Sequence, residues 1–180
     1  MNVLQFSVMW SERRSVRIQE YDYRQNGAYA ITICVRERRC AFARITAGVV
    51  HLHPFGQLAL ERWLAIPAHH PNVKLDEFVI MPNHMHGILW IENEAPPNIE
   101  QEVELRQFGK PLSGSVSTVI GSYKGSVSRE IGKIRGIRTK AWQRGFHDHI
   151  IRSDADLLHQ RQYIQQNPAK WADDEFFMAA

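Results

Sequence analysis

One stretch decides the fold, and it reads Phe78-Val79-Ile80-Met81-Pro82-Asn83-His84-Met85-His86-Gly87-Ile88-Leu89-Trp90. Two apolar runs flank a tight Pro82-Asn83 break, which predicts two strands joined as an antiparallel hairpin. Side chains two apart in a strand point to the same face, so His84 and His86 would lie side by side while Met85 faces the core. Two imidazoles held in that way form a ready pair of metal ligands.

Strand-like and helix-like segments alternate on either side of this pair. β-Branched and aromatic residues predict strands at 28–36, 49–52, 74–81, 84–91 and 146–152. Apolar residues at helical spacing predict helices at 54–67, at 115–134, and from Ser153 or Asp154 to Asn167. This order predicts an α+β fold, a ferredoxin-like or RRM-like sandwich in which about four to five antiparallel strands carry helices on one face.

The composition is that of one globular domain. The chain has 180 residues, of which 44% are hydrophobic, enough for a sizeable core. We expect a basic arm at 1–20, a single folded domain at 21–175, and an acidic surface linker at 93–113 within that domain. No signal peptide or membrane-spanning run is recognisable, and the two cysteines are typical of free thiols, so we expect a cytoplasmic protein.

The positive charge is concentrated in one part of the chain. The formal net charge is only +3, but residues 115–152 carry eight Lys or Arg against Glu130 and Asp148. A basic segment of this kind suits a phosphate backbone, although a solvated helix face has the same composition. The cations selected as DNA contacts, including those of the arm, are Arg13, Arg14, Arg17, Lys124, Arg129, Lys133, Arg144 and Arg152.

A tyrosine and an asparagine share one face of the last predicted helix, because Tyr163 and Asn167 are four residues apart. If that face packs beside His84 and His86, an ion held by two imidazoles and an oxygen could polarise a phosphate for attack by Tyr163. Each piece also has a plainer interpretation, as a packed aromatic, a helix terminator or an incidental His-x-His. His149 precedes the helix and is a supporting candidate.

Five segments carry a resemblance that covers nearly the whole chain. They are Tyr21-Asp22-Tyr23 with 28–35, residues 75–88, Gly121-Ser122-Tyr123-Lys124, Trp142-Gln143-Arg144 with 149–152, and Tyr163-Ile164 with Asn167-Pro168. In this order they resemble the REP-associated tyrosine transposases, which belong to the single-tyrosine HUH transposases of insertion sequences. HUH denotes His-hydrophobic-His, and the hydrophobic position here is Met85.

The resemblance implies an enzyme that cuts and rejoins single-stranded DNA beside hairpin or palindromic repeats, through a 5′-phosphotyrosine intermediate. It implies that His84 and His86 bind a metal, that Tyr163 is the nucleophile and that Asn167 is the third ligand. Mg²⁺ or Mn²⁺ would be the cofactor, because amide oxygen, water and phosphate favour hard ions. The domain at 21–175 would be the catalytic domain of a bacterial, nucleoid-associated protein, a monomer or homodimer that contacts no membrane.

Two other functions fit the same residues. The chain could be a catalytically silent module that keeps the fold and only binds single-stranded nucleic acid. It could also be a metal-dependent hydrolase that uses water, with Tyr163 in a structural role, which would leave free 5′-phosphate ends and no protein-linked DNA.

Overall fold

A computed structural model describes residues 21–94 and 112–178. The predicted basic arm, with Arg13, Arg14 and Arg17, lies outside these residues, as does most of the predicted acidic linker. The strands of the described part are β1 (Gly27–Cys34), β2 (Ala43–Thr46), β3 (Val49–Leu52), β4 (Val73–Ile80), β5 (His84–Ile91) and β6 (His147–Ile151). Its α-helices are α1 (Pro54–Leu64), α2 (Ile66–His69), α3 (Val116–Arg135) and α4 (Asp154–Gln166), and a 3₁₀ helix at Asn167–Asp173 follows α4.

The main sheet has four strands in the order β4-β5-β1-β6, and every neighbouring pair is antiparallel. The predicted ferredoxin-like α+β fold is therefore confirmed, including the tight hairpin between β4 and β5. The predicted strand at 49–52 exists as β3 but pairs only with β2 in a separate two-stranded sheet. β2 was not predicted, because its hairpin turn places an alanine, Ala47, at a positive φ of 50°, where Asn or Gly would be the usual signal.

One face of the sheet holds the principal core. Tyr29, Ile31 and Ile33 point to this face from alternate positions of β1 and join buried side chains of α1 and α3. Met85 lies in the same core as predicted, and the buried Tyr123 hydroxyl contacts its sulfur at 3.1 Å. The burial of these residues fixes the register of β5, since a one-residue slip would exchange its two faces.

The opposite face carries α4, which corrects the expectation that the helices share one face. Ala28 of β1 and Ile88 of β5 form a small second core with Leu157 and Ile164 of α4. The physical reason is that α1 and α3 already cover the first face, while α4 follows the last strand of the sheet. The helix therefore lies on the face to which His84 and His86 point. Among the helices of the two described ranges, none has both the length and the apolarity that a membrane crossing requires.

The residue after the histidine pair has no room for a side chain. A Cβ on Gly87 would lie 2.5 Å from Cζ2 of Trp63, a fully buried side chain of α1. Gly87→Ala is therefore expected to destabilise the protein by about 1–3 kcal/mol through overpacking, measured by urea denaturation. Gly121→Ala is the control, because a Cβ on Gly121 in α3 meets nothing within 4 Å, and it should be stabilising by up to about 1 kcal/mol.

The cause of the destabilisation can be tested with a second substitution. Combining Gly87→Ala with Trp63→Phe, which removes the clashing ring atoms, should cost less than the sum of the two single substitutions. Strictly additive costs would contradict the proposed clash.

Candidate metal and tyrosine site

The two histidines of β5 face each other on the α4 side of the sheet. Their Nε2 atoms are 3.0 Å apart, and both side chains are buried. Their strand partners in β1 are Cys34 for His84 and Thr32 for His86. The prediction that the pair shares one face of a strand is confirmed by this geometry.

The neighbours of His84 determine which of its nitrogens carries hydrogen. The Asn83 amide nitrogen donates to the backbone carbonyl of Phe176 at 2.7 Å, so the Asn83 Oδ1 is the atom that faces His84. That oxygen can only accept, so the Nδ1–H of His84 donates to it at 2.9 Å. The Nε2 of His84 is then left with a lone pair, the form in which imidazole binds a metal.

His86 is positioned in a similar way. Its Nδ1 lies 2.8 Å from the hydroxyl of Thr32, which can accept or donate. Burial lowers the pKa of His86 to about 4, and burial, aided by His86 and Arg38, lowers the pKa of His84 to about 2. Both imidazoles are therefore neutral at physiological pH, and neither has to lose a proton before binding a cation.

Tyr163 lies beside this pair, on the inner side of α4. The Tyr163 and His86 ring centroids are 5.2 Å apart in an edge-to-face arrangement, and 44% of the tyrosine is exposed. Burial raises the pKa of the phenol, a hydrogen bond from the Asn167 side chain lowers it, and the charges of Asp174 and Glu175 raise it. The phenol is thus protonated at neutral pH and accessible from outside.

Asn167 sits one turn further on, where α4 passes into the 3₁₀ helix. Its side chain is buried, and its Oδ1 has no hydrogen-bond partner among the described residues. An orphaned buried carbonyl oxygen is costly unless something absent from the protein chain satisfies it. The structure therefore places Tyr163 beside His86 and brings Asn167 to Tyr163 through a side-chain hydrogen bond.

The segment after the 3₁₀ helix also reaches the site, which the sequence did not reveal. Oδ2 of Asp174 lies 3.7 Å from Nε2 of His84, and the Phe176 ring centroid lies 4.7 Å from that of His84. His84, His86 and Asp174 form a group whose ligand atoms all lie within 4.8 Å of one another. The Asp174 side chain is 5% exposed, and this burial raises its pKa. No periodicity or motif marks these positions in the sequence.

A polar clamp, formed by Asp76 of β4 and Arg161 of α4, holds α4 on the sheet. Apolar packing of α4 is limited, with only Leu157 and Ile164 buried. Arg161 donates two hydrogen bonds, of 2.8 and 2.6 Å, to the carboxylate of Asp76 in β4. Asp76 also accepts a 2.9 Å bond from the indole of Trp90 in β5. Because Arg161 precedes Tyr163 by two residues, the clamp fixes the tyrosine relative to the histidines.

The predicted DNA-contacting cations fall in different places. Lys124, Arg129, Lys133 and Arg144 line one groove of about 920 Å³ between α3 and the segment 136–144, together with Arg138 and Lys140. The Lys124 ammonium also donates to the carbonyl oxygens of Gln143 (2.8 Å) and Gly145, so it stabilises this segment as well.

Arg152 lies elsewhere, after the end of β6, and its backbone N–H donates to Asp156 at 3.2 Å. The Nε2 of His149 is 2.9 Å from the same Asp156 carboxylate. His149 also lines a small pocket with His147, His86 and Tyr163, so it is near the candidate site without touching the histidine pair.

Comparisons with known proteins identify a similar sequence and a solved structure with a similar fold. No established family profile matches the sequence. A protein from Haemophilus influenzae, described as uncharacterized, is 35% identical over 169 residues, which cover 92% of this chain and 93% of the relative. The solved structure of a REP-associated tyrosine transposase bound to a REP hairpin superposes with a TM-score of 0.53 at 21% identity, over 85% of this chain and 74% of the other. The fold implied by the sequence resemblance is therefore confirmed.

The clamp makes a prediction about stability and pH. Asp76→Asn is expected to cost about 1–3 kcal/mol at neutral pH, because the hydrogen bonds from Arg161 would no longer be charge-assisted. The hydrogen bonds from Arg161 lower the pKa of Asp76 from 3.8 to about 2, so its stabilising effect is present above 3.8 and is lost as pH falls towards 2. Urea denaturation at a series of pH values should show the difference between wild type and variant shrinking over that range.

Glu77→Gln is the matched control for this experiment. Glu77 is the next residue of β4 and accepts one hydrogen bond, from Gln165 at 3.0 Å. This variant should retain the acid dependence of the wild type. Equal stability of Asp76→Asn and wild type at neutral pH would contradict the role of the clamp.

Proposed function

This chain belongs to the same family as the Haemophilus influenzae protein, and we propose that it is a metal-dependent single-tyrosine transposase. It would cut and rejoin single-stranded DNA beside hairpin or palindromic repeats, with Tyr163 as the nucleophile and a 5′-phosphotyrosine as the intermediate. One observation carries the proposal: a partly exposed phenol lies beside two buried, neutral imidazoles whose Nε2 atoms face each other at 3.0 Å.

The residues around the histidines fit a divalent cation. His84 offers the lone pair of Nε2, His86 can offer its own Nε2 once Thr32 accepts a hydrogen bond from its Nδ1, and Asn167 offers an unpartnered Oδ1. Imidazole nitrogens tolerate Mn²⁺, and the amide oxygen, with substrate oxygen in the remaining positions, favours hard ions such as Mn²⁺ or Mg²⁺. When bound, the ion would supply polarisation of the scissile phosphate.

The protein side chains then perform the group transfer. The Tyr163 oxygen forms a bond to phosphorus and releases its proton, while the bond from phosphorus to the 3′ oxygen breaks and that oxygen takes up a proton. The 5′ end remains attached to the tyrosine as a phosphodiester. Attack by another 3′-hydroxyl reverses the same bond changes, so rejoining needs no nucleotide cofactor.

The tyrosine would act on the metal site of its own chain. α4 packs on the sheet that carries the histidines, and Arg161 of α4 is bonded to Asp76 of the same sheet. Both the packing and the clamp would have to be broken for α4 to reach a partner subunit. The proposed reaction therefore requires only one copy of the chain, whatever its oligomeric state.

The basic groove is the proposed path of the DNA. This groove lies between α3 and the segment 136–144, and the segment is attached to the end of β1 by a 2.9 Å hydrogen bond from the Gln143 N–H to the carbonyl of Cys34. Cys34 is the strand partner of His84, so the groove and the histidines lie at the same end of the sheet. A single DNA strand held by the groove cations could thus continue around this end of the sheet to Tyr163.

The covalent step has a direct test. Tyr163→Phe should abolish both strand cleavage and the protein–DNA adduct, because the variant has no oxygen to attack phosphorus. The assay uses single-stranded oligonucleotides that carry a palindromic repeat able to form a hairpin, with Mn²⁺, and denaturing gels to detect the adduct. Binding of the same oligonucleotide, measured by anisotropy, should be retained.

Tyr21→Phe is the control, because Tyr21 also loses a hydroxyl but bonds to Tyr29, away from the histidines. It should leave the adduct unchanged. An adduct formed by Tyr163→Phe would contradict the role of Tyr163 as the nucleophile. DNA binding with no adduct from any substrate would instead favour the silent binding module, and cleavage with free 5′-phosphate ends would favour a hydrolase.

The groove can be tested independently of catalysis. Replacing Arg129 and Arg144 together by Ala should weaken binding of single-stranded DNA and reduce the slope of log affinity against log salt by about 0.7 for each phosphate that is no longer neutralised. Arg44→Ala is the control, since Arg44 lies on the β2–β3 hairpin. An unchanged salt slope in the double variant would exclude the groove as the DNA path.

A further inference from the structure

The chain after α4 turns back over the histidine pair and is held there by several contacts. The Trp171 ring lies 6.0 Å and the Phe176 ring 4.7 Å from the ring of His84, measured between centroids. The Asn83 amide holds the Phe176 carbonyl at 2.7 Å. The guanidinium of Arg38 lies 4.8 Å from the centroid of the Phe176 ring. These contacts fix the backbone on both sides of Asp174.

The two carboxylate oxygens of Asp174 lie in different environments. Its Oδ1 accepts the backbone N–H of Phe176 at 2.7 Å. Its Oδ2 points towards Nε2 of His84 at 3.7 Å, and the side chain is only 5% exposed. A carboxylate that is removed from water to this extent needs a cation or several hydrogen bonds to offset the cost.

No hydrogen bond from His84 satisfies this carboxylate oxygen. The Nδ1–H of His84 is already donated to Asn83 at 2.9 Å, and Nε2 of His84 lies 3.7 Å from Oδ2 of Asp174, beyond hydrogen-bond distance. Nε2 of His84 and Oδ2 of Asp174 therefore face each other across a gap of 3.7 Å that no direct hydrogen bond closes. Nε2 of His86 borders the same gap, so a cation bound there would contact both histidine nitrogens and the Asp174 oxygen.

We propose that Asp174 is a ligand of the divalent cation, the charged oxygen that joins His84 and His86 at this site. The inference rests on the proposed function, which assigns two imidazoles and the Asn167 amide to the metal but leaves that set without a negative charge. Hard cations such as Mn²⁺ and Mg²⁺ prefer carboxylate oxygen, so Asp174 would set both the affinity and the choice of metal.

The proposal has a consequence for the segment around Asp174. An ion bound by this residue and by His84 of β5 would tie the chain after the 3₁₀ helix to the sheet. Metal binding should therefore reduce the local opening of this segment, in addition to any effect on the histidines.

The test measures metal binding by the full-length protein without DNA. Titration with Mn²⁺, followed by the electron paramagnetic resonance of the free ion, compares wild type with Asp174→Asn, which keeps the shape and removes the charge. The variant should bind Mn²⁺ at least about tenfold more weakly. It should lose less affinity for Ni²⁺, which accepts nitrogen and neutral ligands more readily.

Glu175→Gln is the matched control, because it removes the same charge from the adjacent, exposed position. It should bind Mn²⁺ as the wild type does. Equal Mn²⁺ affinity of Asp174→Asn and wild type would overturn the role of Asp174 and leave the proposed function intact. A wild-type protein that binds no Mn²⁺ at millimolar concentration would overturn both this role and the metal dependence of the proposed function.

A second measurement needs no variant and covers the case in which Asp174→Asn does not fold. Hydrogen exchange of the wild-type backbone amides of residues 174–177 should slow when Mn²⁺ is added. Unchanged exchange in this segment at saturating Mn²⁺ would overturn the proposal.

Discussion

The alternation of side chains along β5 is the constraint on which the rest of the site depends. Met85 is buried in the principal core with Tyr123, and Gly87 lies directly against Trp63. These contacts fix the register of the strand, so His84 and His86 must point to the opposite face. The imidazoles are therefore positioned by the hydrophobic core on the other side of the sheet, and their hydrogen bonds to Asn83 and Thr32 orient the rings further.

The second requirement is that α4 covers the histidine face, and here polar contacts supplement a small apolar core. The pair formed by Asp76 and Arg161 lies between the sheet and the helix, where Asp76 is largely shielded from water. Charge-assisted bonds in such a place are directional, so they set the rotation of the helix as well as its attachment. That rotation decides whether the phenol of Tyr163 meets His86 or points into solvent.

Most of this arrangement could be predicted from the sequence, because the patterns that specify it are local. Strand alternation around His84 and helical spacing of Tyr163 and Asn167 predicted the elements and the residues that meet. The sequence did not determine the face on which α4 packs, since only two side chains of that helix are buried and the apolar stripe is narrow. It also missed the return of Asp174 and Phe176, because their contacts with His84 join residues about ninety positions apart and follow no period.

The claim that Tyr163 becomes covalently attached to DNA can be tested most directly by locating the attachment. Trypsin would release the peptide of residues 162–170, in which Tyr163 is the only hydroxyl-bearing side chain. After reaction with a palindromic single-stranded oligonucleotide and nuclease trimming, mass spectrometry should find a nucleotide phosphate on this peptide with Mn²⁺ and none with a chelator. Attachment to any other peptide, or no attachment with Mn²⁺ present, would contradict the account.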